Sequence, residues 1–111
     1  MFERTTQGVV NVIRGDQPLN ADHVRAVSGL ARECLANGQP YAVLDLEKVP
    51  LIDSAGLELL LDLREEFQQL GGVLKLAAPN PLCEEILSVT GLSEPFEVFS
   101  EPLPAVGSFA R

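Results

Sequence analysis

Ser54 is a residue whose sequence context is compatible with several chemical roles. It lies in the segment PLIDSAGL, residues 50–57, between an acid and an Ala-Gly pair, and a leucine-rich pattern of helical period follows at once. A hydroxyl at the point where a loop turns into a helix has three uses: it caps the helix, it serves as a nucleophile, or it receives a phosphate. The remaining motifs of the chain decide among these uses.

The chain lacks the partners that a catalytic serine needs. An α/β-type serine hydrolase places its nucleophile in G-x-S-x-G with a histidine later in the chain. Ser54 has no glycine two residues before it, and the only histidine, His23, lies upstream on another predicted helix. No phosphate-binding loop of the G-x-G-x-x-G or G-x-x-x-x-G-K-[ST] type occurs, and Gly71-Gly72 follows a helix instead of opening one. We therefore predict that the protein is not an enzyme and has no catalytic residue.

Metal and redox sites are also not expected. Asp16, Asp45 and Asp53 could meet at the C-terminal edge of a parallel sheet and hold a cation such as Mg²⁺. Each of these acids has a simpler local explanation, in a turn, near a strand end or before a helix. Cys34 and Cys83 have no metal-site spacing and are predicted to be small core residues. We predict no metal ion and no cofactor.

The periodicity of apolar residues, together with capping and turn residues, predicts the helices and strands that position these side chains. Two strands near residues 2–6 and 9–13 pair across Gln7-Gly8, and Asn20 is predicted to cap a first helix that ends at Asn37-Gly38. The remaining predicted elements are a buried strand at 41–46, a helix at 55–70, a strand at 73–77, a helix from Asn80-Pro81 to Gly91, and a strand at 96–99. Because Pro102 and Pro104 interrupt the tail, any final helix is short. This order predicts one α/β domain over residues 1–111 with a partly parallel sheet.

The second predicted helix has more apolar surface than it needs to cover a sheet. Its core side is predicted to hold Leu59, Leu60, Leu63, Phe67 and Leu70. Leu57 and Leu61 widen the apolar arc to roughly 200°, beyond the stripe of about 100° that sheet packing requires, and Arg64 flanks them. Two interpretations stay open: another helix covers the excess, or Leu57, Leu61 and Arg64 face a partner.

Charge and composition exclude whole classes of partner. The 111 residues contain 8 Lys and Arg against 16 Asp and Glu, a formal net charge of −8, and only 5% aromatic residues. Nucleic-acid binding needs a basic footprint and stacking aromatics, so it is not expected. The same charge disfavours anionic membranes, and two interpretations of it stay open: it favours a basic protein partner, or it only keeps the protein in solution. Neither a signal peptide nor a run of about 18 apolar residues is visible, so we predict a cytoplasmic protein without membrane insertion.

Residues 41–92 closely resemble the STAS domain family, the domain of anti-sigma-factor antagonists and sulphate-transporter tails. The matching features are the strand that ends in Asp45-Leu46, the signature Asp53-Ser54-Ala55-Gly56-Leu57, the helix stop Gly71-Gly72, and the helix that starts at Pro81 and closes at Gly91-Leu92. The resemblance implies a mixed sheet of four to five strands with helices packed mainly on one face.

The antagonist type of this family implies a bacterial partner-switching function. In such proteins the serine that matches Ser54 is phosphorylated by an anti-sigma factor that is also a serine kinase. The unphosphorylated form binds this kinase and frees a sigma factor, and a PP2C-type phosphatase restores that form. We predict a partner-binding surface around this switch, at the start of the second helix and on the flank where its apolar arc is widest. Its residues are Asp53, Ser54, Ala55, Gly56, Leu57, Leu61 and Arg64. Two alternatives stay open: a STAS subunit of an ABC-type phospholipid transporter, and a scaffold-type STAS protein of a stress-signalling assembly.

Overall fold

Five strands form one mixed sheet in the computed structural model, which describes residues 1–38 and 40–110. The strands are β1 (Phe2–Gln7), β2 (Val10–Gly15), β3 (Tyr41–Asp45), β4 (Val73–Ala77) and β5 (Val98–Phe99). They lie side by side in chain order, with β1 antiparallel to β2 and every later pair parallel. The predicted α/β class and mixed sheet are confirmed.

Local sequence explains the strand boundaries. Gly8 adopts φ +65° in the turn between β1 and β2, a conformation that glycine adopts without a steric penalty. Residues 42–45 of β3 are all buried, as expected for a central strand covered on both faces. The predicted strand at 73–77 coincides with β4, whereas only two residues of the strand predicted at 96–99 pair with β4 as β5. Phe96 is buried in the core instead of lying in that strand.

Four α-helices follow the strands: α1 (Val24–Ala36), α2 (Ser54–Gln69), α3 (Pro81–Val89) and α4 (Pro102–Gly107), with a 3₁₀ turn at Ser108–Ala110. The first three pack on one face of the sheet, where their apolar residues join Ile13, Leu44 and Leu76 in the main core. Asn80 caps α3 by accepting a hydrogen bond from the Cys83 backbone N–H at 2.8 Å, as predicted.

The start of α1 differs from the prediction. The helix begins at Val24 with His23 as its N-cap residue, so Asn20 is not the cap. Asn20 instead closes a turn, because its carbonyl accepts from His23 N and Val24 N, both at 3.0 Å. Its side-chain oxygen accepts from Asp22 N at 3.0 Å. Asn20 therefore forms hydrogen bonds within its own loop, which is the common alternative for this residue type.

The short last helix packs on the opposite face of the sheet. Ala105 of α4 joins Val10, Val43 and Ala77 in a second, smaller cluster. Lys75 also lies under this segment: its ammonium donates to Ser108 Oγ at 2.7 Å and stands 4.3 Å from the centroid of the Phe109 ring. The sheet is therefore covered on both faces, with most of the helical mass on one.

Both cysteines lie in the core, as predicted. Cys34 and Cys83 are free and buried, and their thiols donate to the carbonyl oxygens of Leu30 and Val49, each at 3.4 Å. Burial raises the pKa of both thiols, which keeps them protonated and unreactive near neutral pH.

Candidate functional site

Ser54 is the first helical residue of α2, and its side chain is exposed. Asp53 is the N-cap residue of the helix, with extended backbone, and its Oδ1 accepts a hydrogen bond from Gly56 N at 3.1 Å. The capping use proposed for this point of the chain therefore belongs to Asp53. The Ser54 hydroxyl remains on the surface beside the first N–H groups of the helix.

A backbone clamp holds this helix start against the loop after β2. Leu19 and Ile52 form an isolated parallel bridge. Leu19 N donates to Leu51 O at 2.9 Å, and Asp53 N donates to Leu19 O at 3.2 Å. A Cβ at Gly56 would overlap the carbonyl oxygen of Leu19, so only glycine permits this close approach. The glycine of the Asp-Ser-Ala-Gly-Leu signature thus has a packing role.

Asn80 fixes the same loop from the other side. Its Nδ2 donates to the carbonyl oxygens of Val49 and Pro50, at 3.1 and 3.2 Å. The sequence indicated only the capping role of Asn80, because bonds between residues about thirty positions apart leave no local pattern. Together with the Leu19 bridge, these bonds fix the loop that leads into Ser54 at the start of α2.

The three residues of α2 that are predicted to face a partner differ in their burial and contacts. Leu57 is half-buried and packs against the core. Leu61 is 44% exposed. Arg64 is partly buried, and its Nε donates to the carbonyl oxygen of Pro95 at 3.0 Å. Leu61 therefore offers free apolar surface, whereas Arg64 also ties α2 to the loop before β5. Leu70, predicted to lie on the core side, is 61% exposed because α2 ends at Gln69.

Two further exposed apolar side chains belong to segments that adjoin this site. Leu51 precedes Asp53 in the clamped loop and is 39% exposed, and Leu82, in the first turn of α3, is 50% exposed. The Asn80 bonds to Val49 and Pro50 hold the beginning of α3 next to that loop. Neither leucine belongs to the apolar pattern of α2, so no sequence signal pointed to Leu51 or Leu82 beyond the proline that precedes each of them.

The three acids considered for a metal site have separate partners. Asp16 accepts from the amino terminus, which lowers the pKa of its carboxyl. Asp45 accepts from Glu47 N at 3.0 Å and lies 3.8 Å from Arg14 Nε. Asp53 caps α2. Within residues 1–38 and 40–110, no three His, Cys, Asp or Glu side chains gather as a metal site would need.

His23 is engaged elsewhere at the start of α1. Its Nδ1 lies 3.0 Å from Asn20 Oδ1, and its ring is 6.4 Å from that of Phe2. These contacts give the histidine a structural role at the start of α1, and none of them resembles the pairing of a catalytic base with Ser54.

A groove of about 390 Å³ separates α1 from α2 and begins at Ala55, the residue after Ser54. Arg25 and Arg32 on α1 face Ala55, Glu58 and Asp62 on α2 across it. Arg32 donates to both carboxylate oxygens of Glu66, at 3.1 and 3.0 Å, and this pairing raises the pKa of the guanidinium. The groove therefore has mixed charge, with its two arginines at opposite ends.

None of the helices in the described part of the chain is both long and apolar enough to cross a bilayer.

Comparison with protein families gives a match to the STAS domain over residues 2–102. A relative at 30% identity over 103 residues, which span 93% of this chain and 81% of the relative, is BtrV of Bordetella bronchiseptica, named as a candidate anti-sigma factor antagonist.

Solved structures share the fold across nearly the whole chain. A candidate anti-sigma factor antagonist from Thermotoga maritima superposes with a TM-score of 0.92 at 23% identity, covering 99% of this chain and 95% of that one. SpoIIAA, an anti-sigma factor antagonist solved in its unphosphorylated form, gives 0.84 at 19% identity, with 99% and 96% covered. Its phosphorylated form, from Bacillus, gives 0.76 at 20% identity, with 98% and 99% covered.

Proposed function

The chain belongs to the STAS domain family, and from this premise we propose that it is an anti-sigma-factor antagonist switched by phosphorylation of Ser54. In this proposal the unphosphorylated protein binds an anti-sigma factor with serine-kinase activity in the bacterial cytoplasm and thereby frees a sigma factor. The kinase phosphorylates Ser54 and the complex dissociates. A PP2C-type phosphatase then restores the binding form, so the domain is a substrate and a switch, not an enzyme.

The observation that carries the proposal is the division of roles at the start of α2. Asp53 performs the capping, so the Ser54 hydroxyl is exposed and free to react. The Leu19 bridge and the Asn80 bonds fix the loop that presents it. A kinase requires an accessible hydroxyl in a defined position, and Ser54 meets both conditions.

A phosphate on Ser54 is compatible with the fold. It adds about −1.5 to −2 charges at neutral pH, and a helix N-terminus carries partial positive charge that favours an anion there. Phosphorylation is therefore expected to leave the domain folded and to act on the complex. Bulk and charge placed at the centre of a docked surface weaken binding strongly when the charge has no partner there.

The proposed docking surface surrounds Ser54. It comprises the helix start Asp53, Ala55 and Gly56 and the flank formed by Leu57, Leu61 and Arg64, which the sequence also singled out. Leu51 and Leu82 extend it with exposed apolar area. Exposed apolar side chains of this kind are typical of the core of a protein interface. The net charge of −8 favours a basic partner surface.

Incubation with the anti-sigma kinase tests the proposal. The purified chain, the kinase and ATP are mixed, and the phosphate is mapped by mass spectrometry, with Ser54→Ala as the control. We expect one phosphate on Ser54 in the unchanged protein and none in the variant. Phosphate on another residue, or none with a kinase that is active on its own substrate, overturns the phospho-switch.

The transporter and scaffold alternatives predict different companions. Co-purification of the native chain with a permease and its ATPase would support the transporter role, whereas capture of a kinase-type anti-sigma factor supports the switch. An ordinary scaffold would bind its assembly equally well with Ser54→Ala and Ser54→Asp. The antagonist is expected to distinguish these two variants, retaining binding with alanine and losing most of it with aspartate.

A further inference from the structure

Arg25 is a cation without a partner beside the proposed phosphorylation site. It is the second residue of α1, and within the described part of the chain it makes neither an ion pair nor a hydrogen bond. Arg32, one to two turns further along the same groove, is by contrast held by Glu66. Although Glu58 and Asp62 line the same groove, the guanidinium of Arg25 donates to neither of them among the described residues.

The fold brings Arg25 and Ser54 to the same end of the groove. The Leu19–Ile52 bridge joins the segments that lead into α1 and α2. Arg25 lines the groove opposite Ala55, the residue that follows Ser54, while Arg32 and Glu66 close its far end. The two helices therefore run in the same direction, with their first turns side by side.

We propose that Arg25 binds the phosphate on Ser54 within the same chain. This inference rests on the proposed function, because it needs phosphorylated Ser54. The planar guanidinium donates paired hydrogen bonds to phosphate oxygens, and such charge-assisted pairs are stronger than neutral hydrogen bonds. Arg25 thereby anchors the phosphate over the opening between α1 and α2.

The other charged groups near Ser54 do not supply this contact. Glu58, one turn after Ser54 on α2, and Asp62 line the same groove and repel a phosphate. Asp53 precedes Ser54 and is also acidic. Arg32 is already paired with Glu66 and donates to Ser28 Oγ, and His23 is held by Asn20. Arg25 is therefore the cation of this groove that is free to respond to the modification.

The second ionisation of the phosphate reports the pairing directly. Phosphoserine is encoded at position 54 during translation of the full chain, and its pKa is measured by ³¹P NMR titration with the unchanged residue at position 25 and with Arg25→Gln. A guanidinium stabilises the dianion, so we expect the phosphate pKa to rise by about half a unit in Arg25→Gln, the shift that one exposed charge pair supports.

Lys48→Gln is the matched control. It removes one positive charge from the same edge of the sheet, beside Asp16 and outside the groove, and we expect it to change the phosphate pKa much less. Equal pKa values for Arg25→Gln and Lys48→Gln overturn the inference. Because translation supplies the phosphate, this result does not depend on whether a kinase recognises Ser54. A failed kinase assay therefore refutes the proposed function without deciding the contact.

Discussion

At the start of α2, the neighbouring residues Asp53 and Ser54 have different structural roles. Asp53 accepts the capping bond from Gly56 N, while the Ser54 hydroxyl is exposed. We expect Asp53→Ala to lower the free energy of unfolding by about 1 kcal/mol, the usual cost of a lost cap. Ser54→Ala should change it by less than about 0.5 kcal/mol. Urea denaturation measures both, and a larger loss for Ser54→Ala than for Asp53→Ala would reassign the cap to the serine.

Gly56 allows the start of α2 to lie close to the Leu19 loop. In Gly56→Ala the added methyl group would overlap Leu19 O, and overpacking of this kind costs about 1–3 kcal/mol. Gly29, on the exposed surface of α1, has nothing within 4 Å of the position of an added Cβ. Gly29→Ala is therefore expected to stabilise the protein by up to about 1 kcal/mol. Equal effects of the two substitutions in thermal unfolding would mean that the signature glycine has no packing role.

At the scale of elements, the outer flank of α2 is expected to contribute to binding more than to stability. Leu61 is 44% exposed, so Leu61→Glu should change the free energy of unfolding by less than about 0.5 kcal/mol. The same change should weaken binding of the anti-sigma kinase at least about tenfold, because a carboxylate would replace a buried apolar contact. Arg64 is less suitable for this test, since its bond to Pro95 also supports the fold.

Gln69→Glu provides the control for Leu61→Glu. It adds the same negative charge to α2 at an exposed position near the end of the helix, far along the chain from Ser54. Binding by Gln69→Glu should remain within about twofold of the unchanged protein. A large loss of stability in Leu61→Glu, or equal binding by the two variants, would show that this flank is not part of the docking surface.

Most helices and strands could be predicted because apolar periodicity, capping residues and turn residues all act between neighbours in the sequence. The apolar run at Tyr41 and the cap at Asn80 give β3 and α3 close to their observed bounds. The start of α1 was predicted wrongly, since the same asparagine signal serves a turn as well as a cap.

Contacts between distant parts of the chain could not be predicted in this way. Three such contacts depend on tertiary packing. They are the Leu19–Ile52 bridge, the bonds from Asn80 to the loop before α2, and the packing of the C-terminal segment over Lys75. The signature around Ser54 was visible in the sequence. The structure adds the groove with Arg25 and the separation of the cap from the exposed hydroxyl.

At the scale of the whole molecule, acidity is expected to govern how fast the complex forms. A net charge of −8 attracts a basic partner surface over distances comparable to the Debye length. The association rate constant should fall about tenfold or more between roughly 50 and 500 mM salt, while the dissociation rate constant changes little. Stopped-flow measurements separate the two, and an association rate constant insensitive to salt would contradict a charge-complementary partner.

The affinity of the anti-sigma kinase for the two forms of the protein tests the central claim most directly. Isothermal titration calorimetry compares the unphosphorylated chain with the chain that has phosphoserine at position 54, after circular dichroism shows that both are folded. Even with Arg25 beside it, a phosphate loses hydration and adds bulk when the docked surface closes over it, at a cost of about 3 kcal/mol or more. The phosphorylated form should therefore bind at least about 100-fold more weakly. Affinities that agree within about threefold would contradict the account of Ser54 as the switch.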